Sequence, residues 1–173
     1  MSEARLRVEA LTPEAFAPFG EVIAVGAATR VYPINGGTSQ RHHALARVEV
    51  GTGHGLISIA RAEARALPFA IRMLECHPLG SQAWIPLSQT PYLIVVAESP
   101  QHPPRCFRAA HGEGVNYHAG TWHHPLIALD TVSDFVIIDR GGEGANCDEI
   151  NLVQTWWIMP LASLQLPLAG ETS

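Results

Sequence analysis

The sequence predicts an all-β fold, a closed antiparallel barrel or sandwich with one short helix at its N-terminal end, on three observations. From Glu21 onward apolar and polar residues alternate with period two. Gly, Pro, Asn and Ser interrupt that alternation at short intervals, and no helical periodicity lies between the runs. About ten short strands without crossover helices fit a barrel or a sandwich and not a parallel α/β sheet.

The elements follow in chain order. Thr12-Pro13-Glu14 opens a helix with a capping hydroxyl, Pro at the first helical position and an acid in the first turn, and Gly20 stops it. The predicted strands are Glu21–Val25, Ala44–Val50, Leu56–Ala62, Phe69–His77, Gln82–Pro86, Tyr92–Ala97, Arg105–Ala109, Val115–His118, His124–Leu129 and Asp134–Arg140. The stretch from Trp156 and Trp157 to Leu168 is apolar without alternation, so it is expected to pack on the barrel or on a partner, with a minor helical turn at Leu161–Gln165.

Composition limits the function. The 173 residues are 47% apolar, with 15 Gly and 13 Pro, enough to bury a core, and are expected to form a single domain, 1–173. Only 16% are charged, against roughly 25% in an average soluble domain, so part of the surface is expected to be apolar and covered by a second copy. All eleven basic residues are Arg, scattered among sixteen acids for a net charge of −5, which speaks against a nucleic-acid partner. No apolar run approaches the ~18 residues that span a bilayer, and no secretory h-region follows Met1. The three cysteines, Cys76, Cys106 and Cys147, form no Cys-x-x-Cys pair and read as reduced thiols in the cytoplasm.

Two segments carry groups suited to chemistry. Alternation along Phe69–His77 puts Phe69, Ile71, Met73, Glu75 and His77 on one face; the three apolar members turn that face inward and take Glu75 and His77 with them. A carboxylate in an apolar interior must be paired, hydrogen-bonded or metal-bound, or its pKa rises, and the desolvated Glu75 is expected to be raised toward neutrality. The second segment is Gly114 to Pro125, and four of the nine histidines lie between His111 and His124. His124 falls on the opposite parity to His123. His54, His102 and His111 are read as loop residues in water.

The spacings Glu75-x-His77-x-x-x-x-Gln82 and His118-x-Gly120-x-x-His123 resemble the two motifs of the cupins, small barrels that hold one metal. The resemblance implies Glu75, His77, Gln82 and His123 as ligands, with Glu75 where that pattern has His and Gln82 where it has Glu. Two imidazoles, a carboxylate and an amide oxygen form a reasonable divalent site, and a metal-free site of the same shape is equally reasonable.

A closer resemblance rests on Ile34-Asn35-Gly36-Gly37, Arg41-His42-His43, Glu75-Cys76-His77-Pro78-Leu79-Gly80, Gly114-Val115-Asn116-Tyr117-His118, Trp122-His123-His124-Pro125 and Ile138-Asp139-Arg140-Gly141-Gly142. From about Leu11 to Asp148 the chain is similar to the ureidoglycolate lyase family; residues 151–173 find no counterpart. The resemblance implies a homodimeric cupin that cleaves (S)-ureidoglycolate to glyoxylate and urea, with a divalent metal, nickel in family descriptions. That elimination needs a base at the hydroxyl, a proton for urea and a cation for the carboxylate. The residues offer Glu75 as base or ligand, a His of the 118–124 group as proton donor, His77 beside them, Tyr117 at the substrate, and Arg41, Arg61 and Arg140 as carboxylate clamps. Another metal-dependent cupin enzyme, a dioxygenase or an isomerase, and a non-catalytic cupin that binds a small acid stay open at this point.

Overall fold

The structure is a computed structural model that describes residues 4–110 and 112–160. Its strands are β1 (Ala4–Leu6), β2 (Val8–Ala10), β3 (Gly20–Ile23), β4 (Val31–Ile34), β5 (Ser39–His42), β6 (His54–Ala62), β7 (Phe69–Cys76), β8 (Gln82–Pro86), β9 (Tyr92–Ala97), β10 (Arg105–Ala109), β11 (Gly114–Tyr117), β12 (Trp122–His123), β13 (Ile127–Ala128), β14 (Ser133–Gly141) and β15 (Asp148–Ile158). The helix α1 (Pro13–Phe16) is capped as expected, the Thr12 hydroxyl accepting from the Ala15 amide at 3.2 Å.

Two sheets make an all-β, cupin-type barrel. The larger runs β1-β15-β7-β12-β9-β10-β2 with β13 on β9, the smaller runs β3-β11-β8-β14-β6, and β4 and β5 form a hairpin of their own. Pairing is antiparallel except for β1 on β15 and β2 on β10. The strand β9 shows why one continuous apolar run suffices for the centre of the large sheet. Its Tyr92, Ile94 and Val96 join Phe16, Phe19, Phe107, Val115, Tyr117 and Phe135, drawn from α1, the segment after it and both sheets. Leu93 and Val95 point the other way, to Ile71, Cys106, Ile127 and Ile158. Both faces of β9 are covered, so alternation vanishes there. Phe16 is fully buried against Phe107, and removing such a ring costs about 3–5 kcal/mol.

Several expectations need correction. Ala44–Val50 is not a strand. Ala44 has a φ of 53°, outside the extended region, and the segment is held as a loop by Glu49 and Ser81, which exchange two hydrogen bonds. His124–Leu129 shrinks to β13 because Pro125 supplies no N–H to a ladder. The Trp pair belongs to β15, where Trp156 and Trp157 pair with Ile71 and Ala70 on one side and with Ala4 and Arg5 on the other. A register shift between Asn151 and Trp156 scrambles the period-two pattern of β15, which hid the strand in the sequence. The same irregularity faces the middle of β7. Ile71, Leu74 and Cys76 are buried while Met73 and Glu75 are half-buried, so the inward row drawn from Phe69 to His77 is not one uniform face. The helical turn expected at 161–165, and His111, lie outside the described residues. Cys76 and Cys106 are buried free thiols and Cys147 is exposed. Among the described residues no helix is long and apolar enough to cross a membrane.

Candidate active site

Three connections meet at one end of the barrel: the β7–β8 loop, the β11–β12 turn and the β14–β15 loop. The first two are joined by the Gly120 amide, which donates to the His77 carbonyl at 2.8 Å. Gly120 has a φ of 79°, the left-handed conformation that glycine adopts without strain. The Phe19 carbonyl fixes the same turn by accepting from the His118 amide and the Thr121 hydroxyl.

This scaffold brings together Glu75, His77 and His123, one donor atom of each lying within 4.8 Å of the others. His123 is directly across the ladder from Glu75. Its Nε2 stands 3.5 Å from Glu75 Oε1, at the outer limit of hydrogen bonding, and its ring centroid is 5.3 Å from that of His77. The orientation of both rings is set by backbone carbonyls. His77 Nδ1 lies 2.6 Å from the Asn146 oxygen, and His123 Nδ1 lies 2.9 Å from the Thr121 oxygen. A carbonyl only accepts, so each Nδ1 carries a proton; Nε2 then has a lone pair when the ring is neutral, and His123 Nε2 donates toward Glu75 when the ring is protonated. Both Nε2 atoms are buried and without a hydrogen-bond partner.

Two converging lone pairs beside a carboxylate form a donor set that suits a borderline divalent cation, and carbonyls behind the rings are the usual way of aiming such ligands. The residues therefore fit a metal of the kind the cupin resemblance implies. Glu75 departs from the sequence expectation: the contact with His123 outweighs the cost of burial, and its carboxyl is held below the ordinary value, not raised. It is an anion at neutral pH.

Tyr117, from the smaller sheet, stacks on His123 with centroids 4.2 Å apart and planes 14° from parallel, so this pair bridges the two sheets. Burial drives its phenol upward, which keeps it neutral. Gln82 is buried, and its Oε1 accepts the Trp84 indole N–H at 2.8 Å. The other expected site residues are not brought to the cluster. His118 is exposed, with Nε2 3.5 Å from Glu21. Arg61 is on the surface in a two-point pair with Asp134 at 2.8 and 2.9 Å. Arg140 donates to the carbonyls of Val50 and Glu143 and braces loops, while Arg41 is exposed on β5. His124 turns its Nδ1 to the Pro125 carbonyl and its ring edge to Phe69. Sequence reading missed Asn146 and Thr121, which act through main-chain oxygens that no motif displays. It also missed Cys147 and Glu149, whose donor atoms lie within 4.8 Å of the Glu75 carboxylate because β15 pairs with β7.

The family model for ureidoglycolate lyase matches residues 3–159 of this chain. The chain belongs to the ureidoglycolate lyase family. A protein of Burkholderia cepacia named ureidoglycolate lyase is 56% identical over 157 residues, covering 87% of this chain and 88% of its own. Proteins of the same name from Burkholderia mallei (strain NCTC 10229) and Pseudomonas entomophila (strain L48) are 48% identical over 158 residues and 49% identical over 150. These cover 88% and 83% of this chain, and 92% and 89% of their own lengths. The match reaches past the point where the sequence resemblance stopped, so all of β15, including both Trp residues, lies within the family match.

Proposed function

We infer that this chain is an enzyme that cleaves (S)-ureidoglycolate to glyoxylate and urea. The observation that carries the reading is the meeting of an ionised Glu75 with two buried, unpartnered imidazole nitrogens at the mouth of a barrel whose family relatives are named ureidoglycolate lyases. The chemistry is an elimination: the hydroxyl O–H is broken, the oxygen electrons form the aldehyde C=O, the C–N bond breaks, and the departing nitrogen gains the proton. Glu75 takes the hydroxyl proton, because contact with His123 keeps its carboxyl ionised. The protonated carboxyl then returns that proton to the ureido nitrogen, and no net proton is consumed. His77 and His123, aimed by the carbonyls of Asn146 and Thr121, hold Nε2 toward the reacting oxygens. Tyr117 walls the site from the smaller sheet and keeps the His123 ring in its plane. A divalent ion would be held by Glu75, His77 and His123, with Gln82 as the further ligand the resemblance implies, and would supply a Lewis acid for the substrate oxygens. Nickel is the ion the resemblance favours.

The same reading makes the chain a homodimer of the cytoplasm. Support for the dimer is the free edge strand β6, whose Leu56, Ile57 and Ile59 are 42%, 79% and 67% exposed; a long apolar edge is a template for pairing with a second copy. The three free cysteines support a reducing compartment.

The test is elemental analysis of the native protein combined with a glyoxylate assay before and after chelation. Stoichiometric divalent metal, turnover above spontaneous breakdown, and loss of turnover on chelation with recovery on adding nickel are expected. Absence of turnover above the spontaneous rate in the metal-loaded protein overturns the reading. Sedimentation velocity should give a dimer for the wild type and a monomer for Ile57→Lys; a wild-type monomer overturns the dimer.

A further inference from the structure

We propose that Asn146 is a positioning residue that fixes the tautomer and aim of His77 by a two-point clamp. The inference rests on the functional reading above for its consequence but not for its geometry. Asn146 sits in the β14–β15 loop, 69 residues away in sequence from His77, and touches the β7–β8 loop twice. Its main-chain oxygen accepts from His77 Nδ1 at 2.6 Å, and its side-chain Oδ1 accepts from the Leu79 amide at 2.8 Å. The first bond orients the imidazole. The second ties the acceptor to the loop that carries the imidazole, so ring and carbonyl move as one unit.

The loop that carries the clamp is largely exposed, and further contacts hold it against the β7–β8 loop. Gly144 has a φ of 93°, and a Cβ there would stand 3.0 Å from Leu79 Cδ1, so this loop already lies against the residue it caps. Arg140 Nη2 donates to the Glu143 carbonyl at 2.8 Å and its Nε to the Val50 carbonyl at 3.1 Å, which holds the near end of the loop. The clamp has a direct chemical consequence. With Nδ1–H committed to a carbonyl, His77 keeps its lone pair on Nε2, the buried and unpartnered atom in the Glu75 and His123 cluster. Release of the clamp lets the ring turn or take the other tautomer, in which Nε2 carries hydrogen and can neither ligate a cation nor accept from substrate.

The experiment uses the full chain as wild type, Asn146→Ala and Asn146→Asp. Alanine removes the Oδ1 that accepts from Leu79; aspartate keeps an acceptor oxygen in the same place. Two readouts are independent of turnover: the nitrogen chemical shifts of 15N-labelled His77 in metal-free protein, which report the tautomer, and the affinity for Ni²⁺ by titration calorimetry. Asn146→Ala is expected to raise the Nε2–H population of His77 and to weaken Ni²⁺ binding by about ten- to a hundredfold, with Asn146→Asp close to wild type. An unchanged tautomer and affinity in Asn146→Ala overturn the proposal, as does equal damage in the two variants. If the wild type binds Ni²⁺ and shows the clamp but leaves ureidoglycolate intact, the functional reading fails and the clamp stands.

Discussion

Two polar clusters in this barrel are built on opposite principles. Around Arg105 nearly every charge is answered from within: the guanidinium grips both Glu9 oxygens at 2.7 and 3.0 Å, donates to the Ala15 carbonyl, and lies over the Phe107 ring at 4.7 Å. At the barrel mouth Glu75, His77 and His123 are aimed at one another with equal care, yet the two Nε2 atoms are left unanswered. An unanswered buried polar atom costs free energy. A closed cluster holds a fold together, whereas an open one of three converging donors supports the site proposed at Glu75, His77 and His123.

The largest expected effect breaks the open cluster. Glu75→Gln keeps shape but removes the charge, so turnover should fall by about two or more orders of magnitude while the melting temperature stays near wild type; the two are read by a glyoxylate assay and by calorimetry. Next is His123→Ala, expected to lower bound divalent metal and turnover together, and to leave Tyr117 without its stacking partner, visible by elemental analysis and near-ultraviolet circular dichroism. The closed cluster should respond in the reverse sense. Arg105→Ala is expected to cost about 1 kcal/mol, a drop of roughly 2–4 °C in melting temperature for a chain of this size, with turnover per folded molecule unchanged. Its pH dependence follows from Glu9, whose carboxyl is held below its ordinary value first by the hydrogen bond from Arg105. A depressed folded value gives stability that is present above the unfolded carboxylate value and lost as pH falls through the folded one. The stability difference between wild type and Glu9→Gln should therefore be present at neutral pH and close in acid. The smallest effect belongs to Arg61→Ala, where the exposed pair with Asp134 stands apart from the cluster; KM for ureidoglycolate should not change.

Much of this was legible in the sequence because the relevant signals are local. Period two, turn residues and the Thr12-Pro13 cap specify strands and a helix without reference to the rest of the chain, and the motif spacing brought Glu75, His77 and His123 together. What could not be read depends on partners distant in sequence. β15 was hidden because its register slips between Asn151 and Trp156, and the Ala44–Val50 loop is defined by Ser81, Asn116 and Arg140 reaching it from elsewhere. The placement of the arginines depends on distant partners in the same way. A guanidinium reads as a substrate clamp until its acceptor is seen, and for Arg61 that acceptor, Asp134, is 73 residues away. Desolvation alone raises a buried carboxyl, so the direction for Glu75 reverses only once His123 is placed beside it.

The most direct test of the open cluster is the initial rate of glyoxylate release from ureidoglycolate by wild type and Glu75→Gln at equal nickel loading and equal folded concentration. The account predicts a rate well above spontaneous breakdown for the wild type and a rate lower by about two or more orders of magnitude for the variant. A variant that releases glyoxylate about as fast as the wild type contradicts it.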